Sequence, residues 1–278
     1  MVLTSAAGVI ALLQEREADM KVFALNRLNI LVDEFWPEIS EAIEQLEVLY
    51  EDSSFRQREL AALVASKVYY HLGAYEDAMR YALAAGHLFD IDKRSEYIDT
   101  IVAKCLDEYV KQRVESWGSP GDIRIDSRLE SVVQRMFDRC VKHRQYQQAI
   151  GMALETRHVE VLEKAIKVAA DNCEDGQAVP QALIYCYRVA MSLIDCRKFR
   201  DEVLQVIVRL YASMAEPDYL NMTACFIHLD DADSVARALE QLLHKGSSND
   251  PGAERALLVC YQLAFDLYET ASQQFVHR

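Results

Sequence analysis

Seven histidines, His71, His87, His143, His158, His228, His244 and His277, are the side chains here best suited to acid–base or metal chemistry. No two stand in the H-x-x-x-H spacing that would put both imidazoles on one helix face for zinc. His71 and His143 precede Tyr75 and Tyr146 by four and three residues. Both therefore fall near the end of a predicted helix, where the dipole favours a cation, and a structural role follows. The carboxylate pairs Asp33-Glu34 and Asp230-Asp231 could in principle exchange protons with a substrate. Neighbouring residues of a helix point to different sides, however, and acidic residues ahead of a helix are ordinary caps. Asp90-Ile91-Asp92 opens like a calcium loop, but Ser95 stands where the obligatory glycine belongs and Ile101 where the closing glutamate belongs. Phosphate loops, G-x-G-x-x-G and the G-x-S-x-G nucleophile elbow are absent. The sequence nominates no catalytic, cofactor-binding or metal-ligating residue, and the expectation is a protein that is not an enzyme.

Cysteine usage points the same way. Cys105, Cys140, Cys173, Cys186, Cys196, Cys225 and Cys260 are odd in number and contain no C-x-x-C. Most sit on apolar stripes, as buried thiols in a reducing compartment would. The formal charge of -14, from 44 acidic and 30 basic residues, repels nucleic acid and anionic lipid, so neither is an expected partner. No window approaches the roughly 18 apolar residues of a membrane span. The opening MVLTSAAGVIALLQERE carries no basic residue before its apolar run and reads as an amphipathic helix rather than a signal peptide. Val2 excludes N-terminal myristoylation. Asn221-Met222-Thr223 fits the glycosylation sequon without consequence in a cytosolic chain.

The elements that would carry these residues are helical. Nine Gly and five Pro among 278 residues, with 51% hydrophobic residues and no alternating runs, argue for an all-α fold. Leu60, Leu63, Val64, Val68 and Leu72 recur at helical spacing, Gly73 supplies a left-handed stop, and Tyr75, Ala78, Met79, Ala82 and Leu83 begin a second stripe. This is an antiparallel helical hairpin that cannot bury its stripes without a neighbour. Tyr146, Ala149, Ala153 and Leu154 repeat Tyr75, Ala78, Ala82 and Leu83 at an offset of 71 residues, about two hairpin units.

Around these hairpins, Asp19 is expected to cap a helix through Phe35, Pro37 to open another through Tyr50, and Ser95 to begin a long one through Tyr109. Ser54-x-x-Gln57 and Ser127-x-x-Glu130 have the form of capping boxes. Loops are expected at 116–126, 171–180 and 246–253, with helices between them and every proline at a boundary. Tyr75, Tyr81, Tyr146, Tyr261 and Tyr268 are assigned to the core, hydroxyls reaching a turn or rim. The last stripe, Leu257, Tyr261, Ala264, Phe265, Tyr268, Ala271 and Phe275, is still running at Arg278, so a longer parent protein is expected. The architecture predicted is one elongated right-handed α-solenoid, a rod of stacked TPR- or HEAT-like hairpins over 1–278 without a sheet.

Several long blocks in order carry a family resemblance: TSAAGVIALL (Thr4 to Leu13), FWPEISEAIEQLEVLYED (Phe35 to Asp52) and AALVASKVYYHLGAYEDAMRYALAAGHLFD (Ala61 to Asp90). QAIGMALETRHVEVLEKAI (Gln148 to Ile166), FIHLDDADSVARALEQL (Phe226 to Leu242) and FDLYETASQQF (Phe265 to Phe275) continue it. Together they resemble the N-terminal region of the 26S proteasome non-ATPase regulatory subunit 1 family, the larger of two proteasome/cyclosome-repeat scaffolds. The resemblance implies a rod of paired helices ahead of a toroid of repeats, placed in the base of the 19S regulatory particle. It implies a scaffold without enzymatic activity, found in cytoplasm and nucleus. Its partners would be other regulatory-particle subunits: lid subunits, the ATPase ring, and ubiquitin receptors through parts absent here. No cofactor or small-molecule ligand is implied. A free helical-repeat adaptor gripping short peptides in a concave groove is the alternative reading.

Overall fold

The computed structural model describes residues 5–118, 125–172, 178–214, 216–247, 252–270 and 275. Among them are fourteen α-helices and no strand, an all-α helical-repeat fold. The middles of the three predicted loops, together with Cys173 and His277, lie outside the described residues. Two compact units are present, one through Arg139 and one from Cys140.

The first unit holds α1 (Ala7–Ala11), α2 (Ala18–Ser40), α3 (Ile43–Glu51), α4 (Arg58–His71), α5 (Tyr75–Ala84) and α6 (Glu96–Gly118). It also holds most of α7 (Ser127–Lys142). α4 is its centre, packed against α2, α3 and α5. Its buried set is wider than the predicted stripe: Ala61, Ala62, Ala65 and Ser66 join Leu60, Leu63, Val64 and Val68, while Leu72 is exposed. Small side chains on several sides let three neighbours close in, which a single-stripe reading misses. α6 buries Ile98, Ile101, Val102, Cys105 and Tyr109, as its spacing predicts.

The second unit holds α8 (Tyr146–Glu155), α9 (Val159–Asn172), α10 (Ala178–Leu193), α11 (Arg197–Ala212) and α12 (Tyr219–Leu229). It closes with α13 (Ala232–Gly246) and α14 (Ala253–Thr270). Each helix packs on the next in sequence, and α10 also meets α8. α13 and α14 approach so closely that a Cβ on Gly246 would stand 2.6 Å from Leu257 Cγ.

One backbone device joins helix to helix at four places. Gly73, Arg144, Arg157 and Asp230 all take positive φ, at 78°, 57°, 55° and 56°. In each case the following N–H reaches back five residues: Ala74 to Tyr69 O, Gln145 to Cys140 O, His158 to Ala153 O and Asp231 to Phe226 O. That is the Schellman closure of a helix C-terminus. The next residue starts α5, α8, α9 or α13. At the 71-residue offset read from the sequence, Gly73 and Arg144 coincide, and so do their hydrogen bonds, Gly73 N–H to Tyr70 O and Arg144 N–H to Val141 O.

Several local expectations are corrected. Pro37 does not open a separate helix; it follows a kink at Phe35 (φ -113°, ψ 19°) inside α2, and the chain breaks again only before Ile43. A ring without an N–H is tolerated there because the kink makes Pro37 part of a fresh first turn. Asp19 lies inside the first turn of α2, with Glu17 at the cap position. Neither capping box forms. Ser54 donates to Asp52, and Gln57 precedes α4 without a side-chain cap bond. Ahead of α7, Asp126 Oδ1 accepts the Arg128 N–H, leaving Ser127 as the first helical residue. Ser95 does cap α6, its Oγ accepting the Ile98 N–H.

The largest correction is α14. Its packed face is Ala256, Cys260 and Leu263 against Leu242 of α13. Tyr261, Phe265 and Tyr268 of the predicted stripe are 58%, 68% and 84% exposed, beside exposed Leu258. The helix has two apolar faces, and its neighbours cover the less aromatic one.

Candidate functional site

The histidines are dispersed. His71 Nε2 lies 3.3 Å from Asp33 Oδ1, its ring stacked on Trp36 at 5.9 Å. His87 Nδ1 is 3.0 Å from Glu59. His228 packs beside Tyr187, and burial together with Arg200 pulls its pKa down. His143 follows the last residue of α7. Among the described residues no three His, Cys, Asp or Glu side chains converge as metal ligands would. Of the acidic pairs, Asp231 caps α13 by accepting the Ser234 N–H at 3.0 Å. Asp90 Oδ1 accepts the Asp92 N–H, closing a local turn.

All six described cysteines are free, and all but Cys196 are buried. Burial pushes Cys105, Cys186 and Cys225 up to about 12, so these thiols stay protonated and act as small apolar groups. Thr223 of the sequon is buried, and Asn221 Nδ2 donates to Asp218 at 2.7 Å.

Polar side chains concentrate where α3, α4, α5 and α6 meet. Tyr69 and Tyr81 both donate to Glu47 Oε1, at 2.6 and 2.8 Å, with their rings stacked at 5.5 Å. Arg80 lies over the Tyr81 ring at 4.9 Å and Arg58 over Tyr50 at 5.4 Å. Deeper, Ser66 Oγ donates to Ala78 O at 2.6 Å and shares a 2.7 Å bond with Tyr97 Oη. Tyr97 is edge-on to Tyr70 and Phe89. Burial, with the Glu47 bond second, raises Tyr69 and takes Tyr81 to about 12; burial also raises Tyr97. Of the hairpin tyrosines the sequence assigns to the core, Tyr81 is buried and Tyr75, at the first residue of α5, is exposed. Sequence reasoning missed Glu47, Ser66 and Tyr97, because a carboxylate on an exposed stripe carries no sign of what folds over it.

A cavity of about 640 Å³ opens beside this cluster, lined by Asp33, Lys67, Tyr70, His71, Lys93 and Tyr97 among others. Lys67 Nζ donates to Asn29 O at 3.0 Å, and burial lowers its pKa. Of the hydroxyls near it, Ser95 is spent on the α6 cap and Tyr97 on its bond with Ser66. No nucleophile is paired to the His71–Asp33 couple among the described residues. The arrangement joins helices.

Membership in a family comes from the chain as a whole. The model of the 26S proteasome subunit RPN2 N-terminal domain matches residues 4–278. The chain is 50% identical over 277 residues to the 26S proteasome non-ATPase regulatory subunit 1 of Drosophila melanogaster, covering 99% of this chain and 26% of that protein. It is 42% identical over 275 residues to homolog A of that subunit in Arabidopsis thaliana, covering 98% and 26%. Against the 26S proteasome regulatory subunit RPN2 of Saccharomyces cerevisiae it is 36% identical over 280 residues, covering 99% and 29%. The chain thus spans about a quarter of the length of these relatives. A family model matching residues 4–278, through both units, shows that the chain belongs to the family of the 26S proteasome subunit RPN2 N-terminal domain.

Proposed function

We propose that this chain is a non-catalytic scaffold segment of the proteasome regulatory particle, within its base. It supports assembly, and ATP- and ubiquitin-dependent protein degradation, by holding neighbouring subunits in position. The observation that carries this reading is the family match over residues 4–278. The interior supports it: polar side chains in the first unit tie helix to helix, and the buried thiols are held protonated.

Mechanistically, the stacked hairpins of a helical repeat offer a surface that positions partners by area and shape. The partners are lid subunits, the ATPase ring and, through other parts of the longer protein, ubiquitin receptors. The compartments are cytoplasm and nucleus. No nucleic acid, lipid or small-molecule ligand belongs to this function. Among the described residues no helix is long and apolar enough to cross a membrane.

Crosslinking mass spectrometry on intact regulatory particles containing the full-length subunit is the test. Crosslinks from residues of both units to other regulatory-particle subunits are expected. Recovery of the tagged full-length subunit free of every proteasome subunit would end the proposal.

A further inference from the structure

Lys67, on α4, lines the cavity of about 640 Å³ that α4 shares with α2 and the turn into α6. Its Nζ makes one hydrogen bond, to the main-chain Asn29 O at 3.0 Å. Asp33, Asp90 and Glu96 line the same space, yet none stands within ion-pair distance of that Nζ. Asp33 is turned to His71 Nε2 at 3.3 Å, and Asp90 accepts the Asp92 N–H. The cations that face Lys67 across the cavity are His71, Lys93 and Arg94. Burial lowers the Lys67 pKa; Asp33 pulls the other way, and Lys93 adds to the lowering. The floor is apolar, made of Leu63, Phe89 and Ile98, all buried.

An amine held only by a carbonyl is not committed to its charge, because the neutral form donates the same N–H. A lysine that is partly desolvated and set beside another cation is the kind whose nitrogen becomes a nucleophile. Acylation suits this position chemically. The amide nitrogen keeps one N–H for Asn29 O and sheds the positive charge that burial and Lys93 penalise. Methylation would leave the charge in place. Carboxylation would set a new anion among Asp33, Asp90 and Glu96. The apolar floor gives a short aliphatic acyl group somewhere to lie.

We infer that Lys67 is an acyl-acceptor site, its amine taking a short acyl group from a thioester. The lone pair of the neutral nitrogen attacks the thioester carbonyl carbon, and the C–N bond forms as the C–S bond breaks. Sulfur leaves as thiolate and takes up the proton that the nitrogen gives up. The acyl chain then rests on Leu63, Phe89 and Ile98. This goes beyond the scaffold reading and uses none of it.

The test exposes the whole chain, near neutral pH, to the small thioester S-acetyl-N-acetylcysteamine and follows each lysine by peptide mass spectrometry. Lys67 should be acetylated at least about threefold faster than Lys104 and Lys111, which are exposed on α6, and the advantage should vanish in urea. Two substitutions at the rim should then move the Lys67 rate in opposite directions. Asp33→Asn removes the carboxylate that favours the ammonium and should raise it at least about twofold. Lys93→Gln removes a repelling cation and should lower it by a similar factor. Asp33 and Lys93 are both exposed, so the thermal melt should stay in place, and Lys104 serves as the internal reference. A purely structural lysine would not answer the two charges with opposite signs. A Lys67 rate no higher than those of Lys104 and Lys111 would overturn the inference. So would two variants that shift the rate the same way or leave it unmoved. No proteasome subunit enters the experiment, so this inference and the scaffold reading fail separately.

Discussion

The two units bury tyrosine hydroxyls in opposite ways. In the first, Tyr69 and Tyr81 converge on Glu47 and Tyr97 meets Ser66. In the second, Tyr146 Oη, Tyr211 Oη and Thr223 Oγ1 are shut from solvent with no partner among the described residues. An unmatched buried hydroxyl costs about 1–3 kcal/mol, whereas a matched one contributes about 1. The same residue type therefore ties helices together in one unit and weighs against folding in the other. Helical repeats accept this asymmetry because each helix answers mainly to its neighbours, so a local cost is not passed along the chain.

Alkaline titration should strain this contrast most. Burial raises Tyr69, Tyr81, Tyr97 and Tyr109 in the first unit, and Tyr187 and Tyr211 in the second. A tyrosine raised in the fold above its unfolded value of about 10 lends stability that is complete below that pH. This stability is lost as pH climbs through the folded value, near 12 for Tyr81. Tyrosinate absorbance should lag behind that of the urea-unfolded chain, with helical circular dichroism collapsing in the same interval. Coincident curves for folded and unfolded chain would remove the contrast.

Single substitutions sharpen it further. Glu47→Ala deprives two hydroxyls of a charged acceptor and should cost about 3 kcal/mol in urea denaturation, with Glu47→Gln recovering part of it. A neutral result would make the tyrosine pair decorative. Gly73→Ala puts a Cβ at φ 78° and should cost about 1–2 kcal/mol, while Arg144→Gly at φ 57° should gain up to about 1. If both lose stability, the two turns are not equivalent. Tyr97→Phe should cost about 1 kcal/mol; Tyr211→Phe should be neutral or slightly stabilising, since it deletes an unmatched hydroxyl and keeps the ring. Equal losses in that last pair would show that Tyr211 finds a partner in solution.

How much of this could be read beforehand varies with the physics involved. The hairpins were legible because helical spacing and alanine size are properties of neighbours in sequence, and Tyr75 and Tyr146 do start α5 and α8. The shared turn was half legible. Gly73 announced itself, but Arg144, Arg157 and Asp230 adopt the same conformation without glycine, since main-chain bonds stabilise it. Capping serines misled for a related reason: Asp52 engages Ser54, and Asp126 stands ahead of Ser127. Which face of α14 is buried could not be read, because Tyr261 and Phe265 outweigh Ala256 and Cys260 in apolar area and the choice is made by α12 and α13.

The four helix-joining turns have a consequence beyond this chain. Because each joint is latched from one peptide unit to another, residues as unlike as Gly73, Arg144, Arg157 and Asp230 hold the same bend, the non-glycine ones at a modest cost. Descendants of such a sequence are free to repaint their outer surfaces, trading one set of neighbours for another, while the hinge angle of every pair is inherited unaltered.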